Sequence, residues 1–307
     1  MLQQRLLTLA RSAPLTTALA VGAGWLVAAL AIAQAWCLSV AIESAFLNKE
    51  GLDTVAGWLF AAAALIVVRG AATAVAEVAA AAGSRRIRAR LRLDLARAVM
   101  RRGLTFSTTT QSGELAQTLT DGVDALDAFF SQYLPQIAQT ALIPLTIGLV
   151  VVTQDPLTAL VLALTAPLVP VFMILIGYVA QALTRRQFAL LGQLGGHFLD
   201  VLQGLTTLKL LGRGAAQAVV LARYSARYRS ATMAVLRLAF LSALVLELLT
   251  TLSTAVIAVE IGLRLLNGAL TFQTALFALI LTPDFYLPLR LLGQRYHAAA
   301  SGLGAAE

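Results

Sequence analysis

The apolar positions of this chain fall into long unbroken runs, not into the one-sided stripes of a soluble helical bundle. Six runs, about 15–43, 55–82, 129–152, 157–180, 239–263 and 271–292, approach or exceed the ~20 residues that a bilayer-crossing helix needs. Polar residues collect between them in two kinds of connector. Three connectors are short: "LNKEGLDT", "TQDP" and "RLLNGALTF". Two are long, roughly 83–128 and 181–238, and keep apolar residues at helical spacing. No proline interrupts the chain from Val55 to Arg102, so one helix there would run roughly 70 Å, more than twice the hydrocarbon thickness. The second span is therefore predicted to leave the membrane as a helix, turn near "RRGLTFSTTTQSG" and return through "GELAQTLTDGVDALDAFFSQYLP". The second long connector repeats the plan. It goes out through "ALTRRQFALLGQLGGHFLDVLQG", turns near "LKLLGRG" and comes back through "AAQAVVLARYSARYRSATMAVLRLAF". The expected fold is all-α and polytopic, with six transmembrane helices and long cytoplasmic extensions.

Composition agrees. The 307 residues are 59% hydrophobic and 12% charged, half the ~25% of soluble domains, which makes this an integral membrane protein. The net charge of +8 does not point to nucleic acid, because the charges lie between apolar spans, where lipid headgroups and topology account for them. Each long connector carries eight Lys and Arg residues, and the three short ones together carry two, Lys49 and Arg264. The positive-inside rule then puts the long connectors in the cytoplasm and, with an even number of spans, both termini as well. The single cysteine, Cys37, excludes an intrachain disulfide. A cleaved signal peptide is disfavoured because the first apolar run is too long for one. Residues 1–14, "LQQRLLTLAR" and its flanks, read as an interfacial elbow helix ended by Pro14.

Several blocks are specific. They are "IAQAW" in span one, "YLPQ" at 133–136, "TAPLVPVFMILIG" in span four, "GHFLDVLQGLTTLKLLGRG" at 196–214, "VLRLAFLSALVLE" at 235–247 and the terminal "PDFYLPLRLLGQRYHAAASGLGAAE". Together with the six-span plan they resemble the CydD branch of the bacterial cysteine/glutathione ABC exporters. The resemblance implies a type 1 ABC exporter transmembrane domain over residues 15–300, with 301–307 beginning a linker to an ATPase domain. It implies a CydC-type homologous half as partner, ATP and Mg acting through nucleotide-binding domains, and residence in the inner membrane. The cargo would be a small thiol moved from cytoplasm to periplasm in support of cytochrome bd assembly, with haem handling left open as an alternative. No G-x-x-x-x-G-K-[ST] phosphate loop occurs in the 307 residues, so the isolated chain is expected not to hydrolyse ATP. A different reading, an ATPase-less assembly or regulatory factor, stays open on the same ground. A channel is disfavoured, since polar residues are too few to line a continuous wet pore.

Within that frame the candidate chemistry is polar residues inside spans. Arg69 lies near the middle of span two, where an unpaired charge costs about 3 kcal/mol or more. Thr73 and Glu77 follow at i+4 and i+8, on the same face. Arg69 reads either as a cationic contact for a substrate carboxylate or as half of an ion pair with an acid such as Glu247 or Glu43. Gln34 joins the proposed cavity from span one, whereas Trp36 reads as packing. Glu247 stands between cavity lining and pairing, and Glu260 reads as an outer-interface residue. Asp284, Tyr286 and Arg290, with Pro283 and Pro288, form a bent, cavity-facing stretch of span six, against the alternative of packing with a snorkelling Arg290. The proline pairs Pro135/Pro144 and Pro167/Pro170 read as bends in spans three and four. The connector tips, Phe106, Thr108 and Thr109 in the first and Leu208, Leu210 and Leu211 in the second, are expected to dock the ATPase domains. His197 and His297 have no second ligand at metal spacing, and no catalytic constellation is present.

Overall fold

The computed structural model describes residues 14–102 and 122–306. Its elements are α1 (Pro14–Phe46), α2 (Leu52–Arg102), a π-helical turn (Phe129–Tyr133), α3 (Leu134–Gln154), α4 (Pro156–Thr165), α5 (Leu168–Gln203), α6 (Leu205–Leu210), α7 (Gly214–Leu266) and α8 (Phe272–Ala306). Six helical stretches are long and apolar enough to cross a membrane, and each contains one predicted span, that of α8 to within a residue. The α4 and α5 helices share the fourth of these, broken at Ala166–Pro167 where the sequence predicts a bend. At 51 and 53 residues, α2 and α7 extend far beyond any hydrocarbon layer, as the proline-free connectors required. The described residues thus form the six-span, all-α architecture that the sequence predicts. The elbow helix and the tip of the first long connector, with Phe106, Thr108 and Thr109, lie outside the described residues.

Local chemistry sets the element ends. Asp155 precedes Pro156 and is held extended (φ −148°, ψ 96°), because a proline crowds the residue before it out of helical conformation. That turn joins α3 to α4. Gly268 has φ +68°, and behind it Ala269 N–H bonds to Arg264 C=O at 2.9 Å and Gly268 N–H to Leu265 C=O at 3.1 Å. Gly212 (φ +65°) closes α6 with the same pair of bonds, Arg213 to Leu208 and Gly212 to Lys209. Both are glycine-dependent helix stops in which a left-handed residue lets the next amides satisfy the last carbonyls.

The chain divides into two compact units. The first comprises the chain up to Pro170 and from Leu246 onward. Its core joins Ala35 of α1, Ile147 and Val151 of α3, Leu162 of α4, Ile257 of α7, and Phe277, Leu281 and Phe285 of α8. The central helix is α8: half of its most apolar stretch is buried, against at most 28% in any other spanning helix. The α1 helix buries small residues, Ala20, Gly24, Ala28, Ala31, Ala35 and Ser39, at three- and four-residue spacing. In lipid, where apolar contact alone gives no preference for protein over acyl chains, such a stripe allows close helix approach. At Gly24 the approach is complete, for a Cβ there would lie 2.1 Å from Gln139 Nε2. The second unit, Val171–Val245, is a helical hairpin. Its arms are held in antiparallel register by a 3.0 Å bond from Gln187 Nε2 to Thr232 Oγ1 and by His197 against Tyr224, ring centroids 5.0 Å apart.

Candidate functional site

Three helices converge on Arg69. The α2 helix supplies the guanidinium, whose Nη2 donates to Asp284 Oδ1 of α8 at 2.7 Å and whose Nη1 reaches Gln34 Oε1 of α1 at 3.4 Å. Both members of the ion pair keep about a quarter of their side-chain surface open. Thr73 does not point its hydrogen at this cluster; its hydroxyl donates to the Arg69 carbonyl one turn back at 2.9 Å. Sequence reasoning named Glu247 or Glu43 as the acid in a structural pair, and the partner is Asp284 instead. Glu247 is engaged elsewhere, by Arg290 Nη1. Asp284 and Arg290, six residues apart on α8, therefore point to different helices, α2 and α7.

The prolines do not end α8, which runs continuously through Pro283 and Pro288. Each lacks an N–H and so withdraws a helical donor from the carbonyl four residues earlier; for Pro288 that carbonyl belongs to Asp284. The Pro288 carbonyl itself accepts from Gln136 Nε2 at 2.8 Å and Thr140 Oγ1 at 3.0 Å, both on α3. Gln136, only 1% exposed, also accepts from Arg295 Nη1 at 2.6 Å. Its amide is thus satisfied on both ends, and α3 is tied to the proline-containing turn of α8. Sequence reasoning missed Gln136, Thr140 and Arg295. The available signal was "YLPQ": a proline followed by an amide in an apolar span.

Two clefts flank the Arg69–Asp284 pair. One, about 590 Å³, lies among α1, α2, α3 and α8 and is lined by Arg69, Thr73, Glu77, Gln139 and Arg295 among others. The other, about 470 Å³, lies between α7 and α8 and is lined by Glu247, Thr250, Thr251, Thr254, Asp284 and Arg290. Leu287 borders both. The pair sits at the partition, arginine facing one cleft and carboxylate the other. Tyr286 edges the second cleft but is 2% exposed, with its hydroxyl hydrogen-bonded to Thr165 Oγ1. Trp36 packs edge-on against Phe277, centroids 5.5 Å apart. An arrangement of two opposite charges at a partly open partition can exchange partners: an incoming carboxylate competes for Arg69, and an incoming ammonium competes for Asp284.

At the end of the bundle that carries the short connectors stands a second cluster. Arg264 grips both oxygens of Asp155, at 2.8 and 2.9 Å, and also bonds Glu260 Oε1 at 2.6 Å; Thr158 Oγ1 reaches Glu260 Oε2 at 3.1 Å. Asp155 is 1% exposed. Burial alone would raise its carboxyl pKa, but the hydrogen bonds from Arg264 and Thr158 and the arginine's charge outweigh it and hold the group below the ordinary carboxylate range. Glu260, read from sequence as an interface residue, is thus part of a clamp joining α7 to the α3–α4 turn. Further along α2, Arg88 and Arg92 pair with Asp124 and Asp127, and Ser84 donates to Asp127 at 2.7 Å. In the hairpin unit, Leu210 and Leu211 are 83% and 68% exposed beside the Gly212 stop, and Leu208 is half-buried.

Six bilayer-length helices carrying charged side chains that pair inside the apolar region, two of them prolonged by tens of residues, define a polytopic transport protein's membrane domain. The ABC transporter transmembrane region matches residues 18–283, and the chain belongs to this family. It is 41% identical over 204 residues to the glutathione/L-cysteine transport system ATP-binding/permease protein CydD of Escherichia coli, covering 64% of this chain and 35% of that protein. It is 34% identical over 286 residues to the transport ATP-binding protein AarD of Providencia stuartii, covering 91% of this chain and 49% of that one. A glutathione/L-cysteine transport protein named CydC, from Bacillus subtilis, is 37% identical over 209 residues, 68% of this chain and 37% of its own length. The chain thus spans between about a third and a half of the length of these relatives.

Proposed function

We propose that this chain is the transmembrane half of a heterodimeric ABC exporter that moves small thiols, cysteine or glutathione, from cytoplasm to periplasm in support of cytochrome bd assembly. Its partners are a CydC-type half and nucleotide-binding domains that bind ATP with Mg. The observation that carries the reading is the Arg69–Asp284 pair, charged, inside the spans and a quarter open on each side. A zwitterionic thiol offers a carboxylate to the first and an ammonium to the second, and Glu247 and Arg290 repeat the pairing across the α7–α8 cleft. The names of the CydD and CydC relatives point to the same cargo. The excess of basic residues in the long connectors supports cytoplasmic termini and connector tips, and an inner-membrane location. Leu210 and Leu211, exposed at a rigid turn, suit the docking of an ATPase domain, with Phe106, Thr108 and Thr109 assigned the same role at the first tip.

The test is ATP hydrolysis by the full transporter, this chain joined to its ATPase domain and homologous half, reconstituted in liposomes. Cysteine or glutathione is expected to stimulate hydrolysis and to accumulate on the side away from the ATPase domains. Hydrolysis indifferent to both thiols would overturn the cargo assignment.

A further inference from the structure

The cleft of about 590 Å³ that Arg69 lines also holds a second arginine, Arg295. The α2 and α8 helices both run from the short connectors toward the long ones, so residue numbers along them mark levels in the same direction. Arg69 and Asp284 share one level through their ion pair. Glu77 follows Arg69 by eight residues and Arg295 follows Asp284 by eleven, roughly 12 and 17 Å along the axes. The Arg295 side chain leans back toward the start of its helix, as helical side chains do, and meets Gln136, whose amide is bonded to the Pro288 carbonyl. Its guanidinium therefore stands near the level of Glu77, roughly 12 Å beyond the Arg69–Asp284 pair. The two arginines differ in their partners. Arg69 has Asp284, whereas Arg295 makes no ion pair among the described residues. Only its Nη1 donates there, to Gln136 Oε1 at 2.6 Å and to the Gln132 carbonyl at 3.5 Å. Glu77 lines the same cleft, and its charge acts on Arg295 from beyond ion-pair distance. A half-buried cation held by neutral acceptors alone favours an anion that can reach it.

Resting on the cargo reading above, we propose that Arg295 is a second cargo-binding residue, which takes a carboxylate at the far end of the cargo and so selects glutathione over cysteine. The carboxylate and ammonium of cysteine share one carbon, and Arg69 and Asp284 engage both. Nothing in so short a molecule extends to the level of Arg295. Glutathione carries the same amino-acid head, then an uncharged stretch and a second carboxylate. An extended tripeptide spans roughly 10 Å, which brings that carboxylate within hydrogen-bond reach of the second guanidinium. Between the two levels the cleft is lined by Thr73 and Ala76 of α2 and by Leu287 and Leu291 of α8, uncharged like the middle of the peptide. Its volume falls in the range of clefts that enclose whole small-molecule ligands. Glu77 opposes the second carboxylate, so the two neighbours Arg295 and Glu77 act on this end of the cargo with opposite signs.

The experiment is ATP hydrolysis by the full transporter in liposomes, titrated with cysteine, glutathione and the glutathione ethyl ester blocked at the glycine carboxylate. The wild type is expected to reach half-maximal stimulation at about one-tenth the concentration with glutathione that it needs with the ester, the effect of one charge-assisted bond. R295Q should raise the glutathione value about tenfold and erase the difference from the ester, while cysteine, too short to reach position 295, shifts far less. E77Q breaks no bond among the described residues. It should move glutathione the other way, to a value about threefold lower, because it removes a like charge from beside the second carboxylate. Equal shifts for glutathione and ester in R295Q, or a rise in E77Q, would overturn the proposal and leave Arg295 as a support for Gln136. So would a wild type that treats glutathione and ester alike, a comparison that needs no variant; with cysteine still stimulating, that result leaves the cargo reading standing. Hydrolysis indifferent to both thiols would overturn the cargo reading and this inference together.

Discussion

Arg69→Ala is the most informative perturbation, because the pair it breaks has two separable consequences. The substitution strands Asp284 in a site only a quarter open to solvent. Two unit charges about 4 Å apart interact by about 4 kcal/mol at an effective dielectric of ~20. Breaking one side of a fully buried pair costs 3–5 kcal/mol, and partial exposure here brings the expectation to about 2 kcal/mol. Asp284→Asn should cost less, since Arg69 keeps Gln34 and an uncharged acceptor at the same place. The double variant R69A/D284N removes both charges and should recover most of the loss, giving a coupling of about 1–2 kcal/mol by thermal or denaturant unfolding in detergent. Thiol-stimulated hydrolysis in the full transporter should not recover, because the carboxylate-binding group is still missing. Arg69→Lys should sit between, keeping the charge and losing the two-point grip. If R69A/D284N restored transport as well as stability, Arg69 would be a structural ion-pair partner and no substrate contact. If R69A left stability unchanged, the pair itself would carry none of the assigned energy.

The Asp155 clamp should be sensitive to the same logic at the opposite end: Asp155→Asn leaves Arg264 with Glu260 only and should destabilise by about 2 kcal/mol. Because the folded carboxyl titrates below its unfolded value, this stabilisation is complete above about pH 4 and is lost as pH falls through the folded pKa, so the wild-type advantage over D155N in thermal midpoint should shrink only below about pH 4. Replacing Leu210 and Leu211 with Asp in the full transporter should uncouple hydrolysis from transport while leaving membrane insertion intact; unchanged coupling would remove the docking role from this tip. In a Cys37→Ala background, a cysteine at position 212 should resist impermeant thiol reagents added outside intact cells, and labelling there would reverse the proposed orientation.

What the sequence made legible was whatever depends on local composition. Span number, the helical extensions and the stops at "TQDP" and "LLGRG" all follow from hydropathy and from proline or glycine, which act on neighbouring residues. Pairings across helices were not legible. Arg69 and Asp284 could each be picked out as costly in lipid, but 215 positions separate them, and nothing in either local context excludes Glu247 as the acid. What decides is the rotation of α8, which aims position 284 at α2 and position 290 at α7. That rotation is fixed by Phe277, Leu281 and Phe285 packing into the core, a property of all the helices together. Asp155 was hidden for another reason. It sits in a short connector, where acids are ordinarily solvated, and only the fold reveals that Arg264 reaches over and buries it. The i,i+4 spacing of Glu260 and Arg264 was a visible hint that one half of a clamp was preassembled on α7.

Several polar contacts of the first unit share one member. The α8 helix bonds α2 through Asp284, α3 through the Pro288 carbonyl and Arg295, α4 through Tyr286, and α7 through Arg290. No two of these partners are the same helix, so displacing any of these four helices against α8 must break a specific, nameable bond. The bonds differ in what replaces them. Gln136 and Tyr286 are buried, and parting them from their partners leaves polar atoms facing hydrocarbon, a cost of about 1–3 kcal/mol each. Arg69, Asp284, Glu247 and Arg290 open onto clefts, where water or a ligand can take a lost partner's place. Motion is therefore cheapest where α8 meets α2 and α7, and dearest where it meets α3 and α4. A ligand that satisfies Asp284 and Arg69 separately lowers the first barrier without touching the second. If the proposed cargo binds there, binding is coupled to movement of α2 against α8 through this one pair of residues.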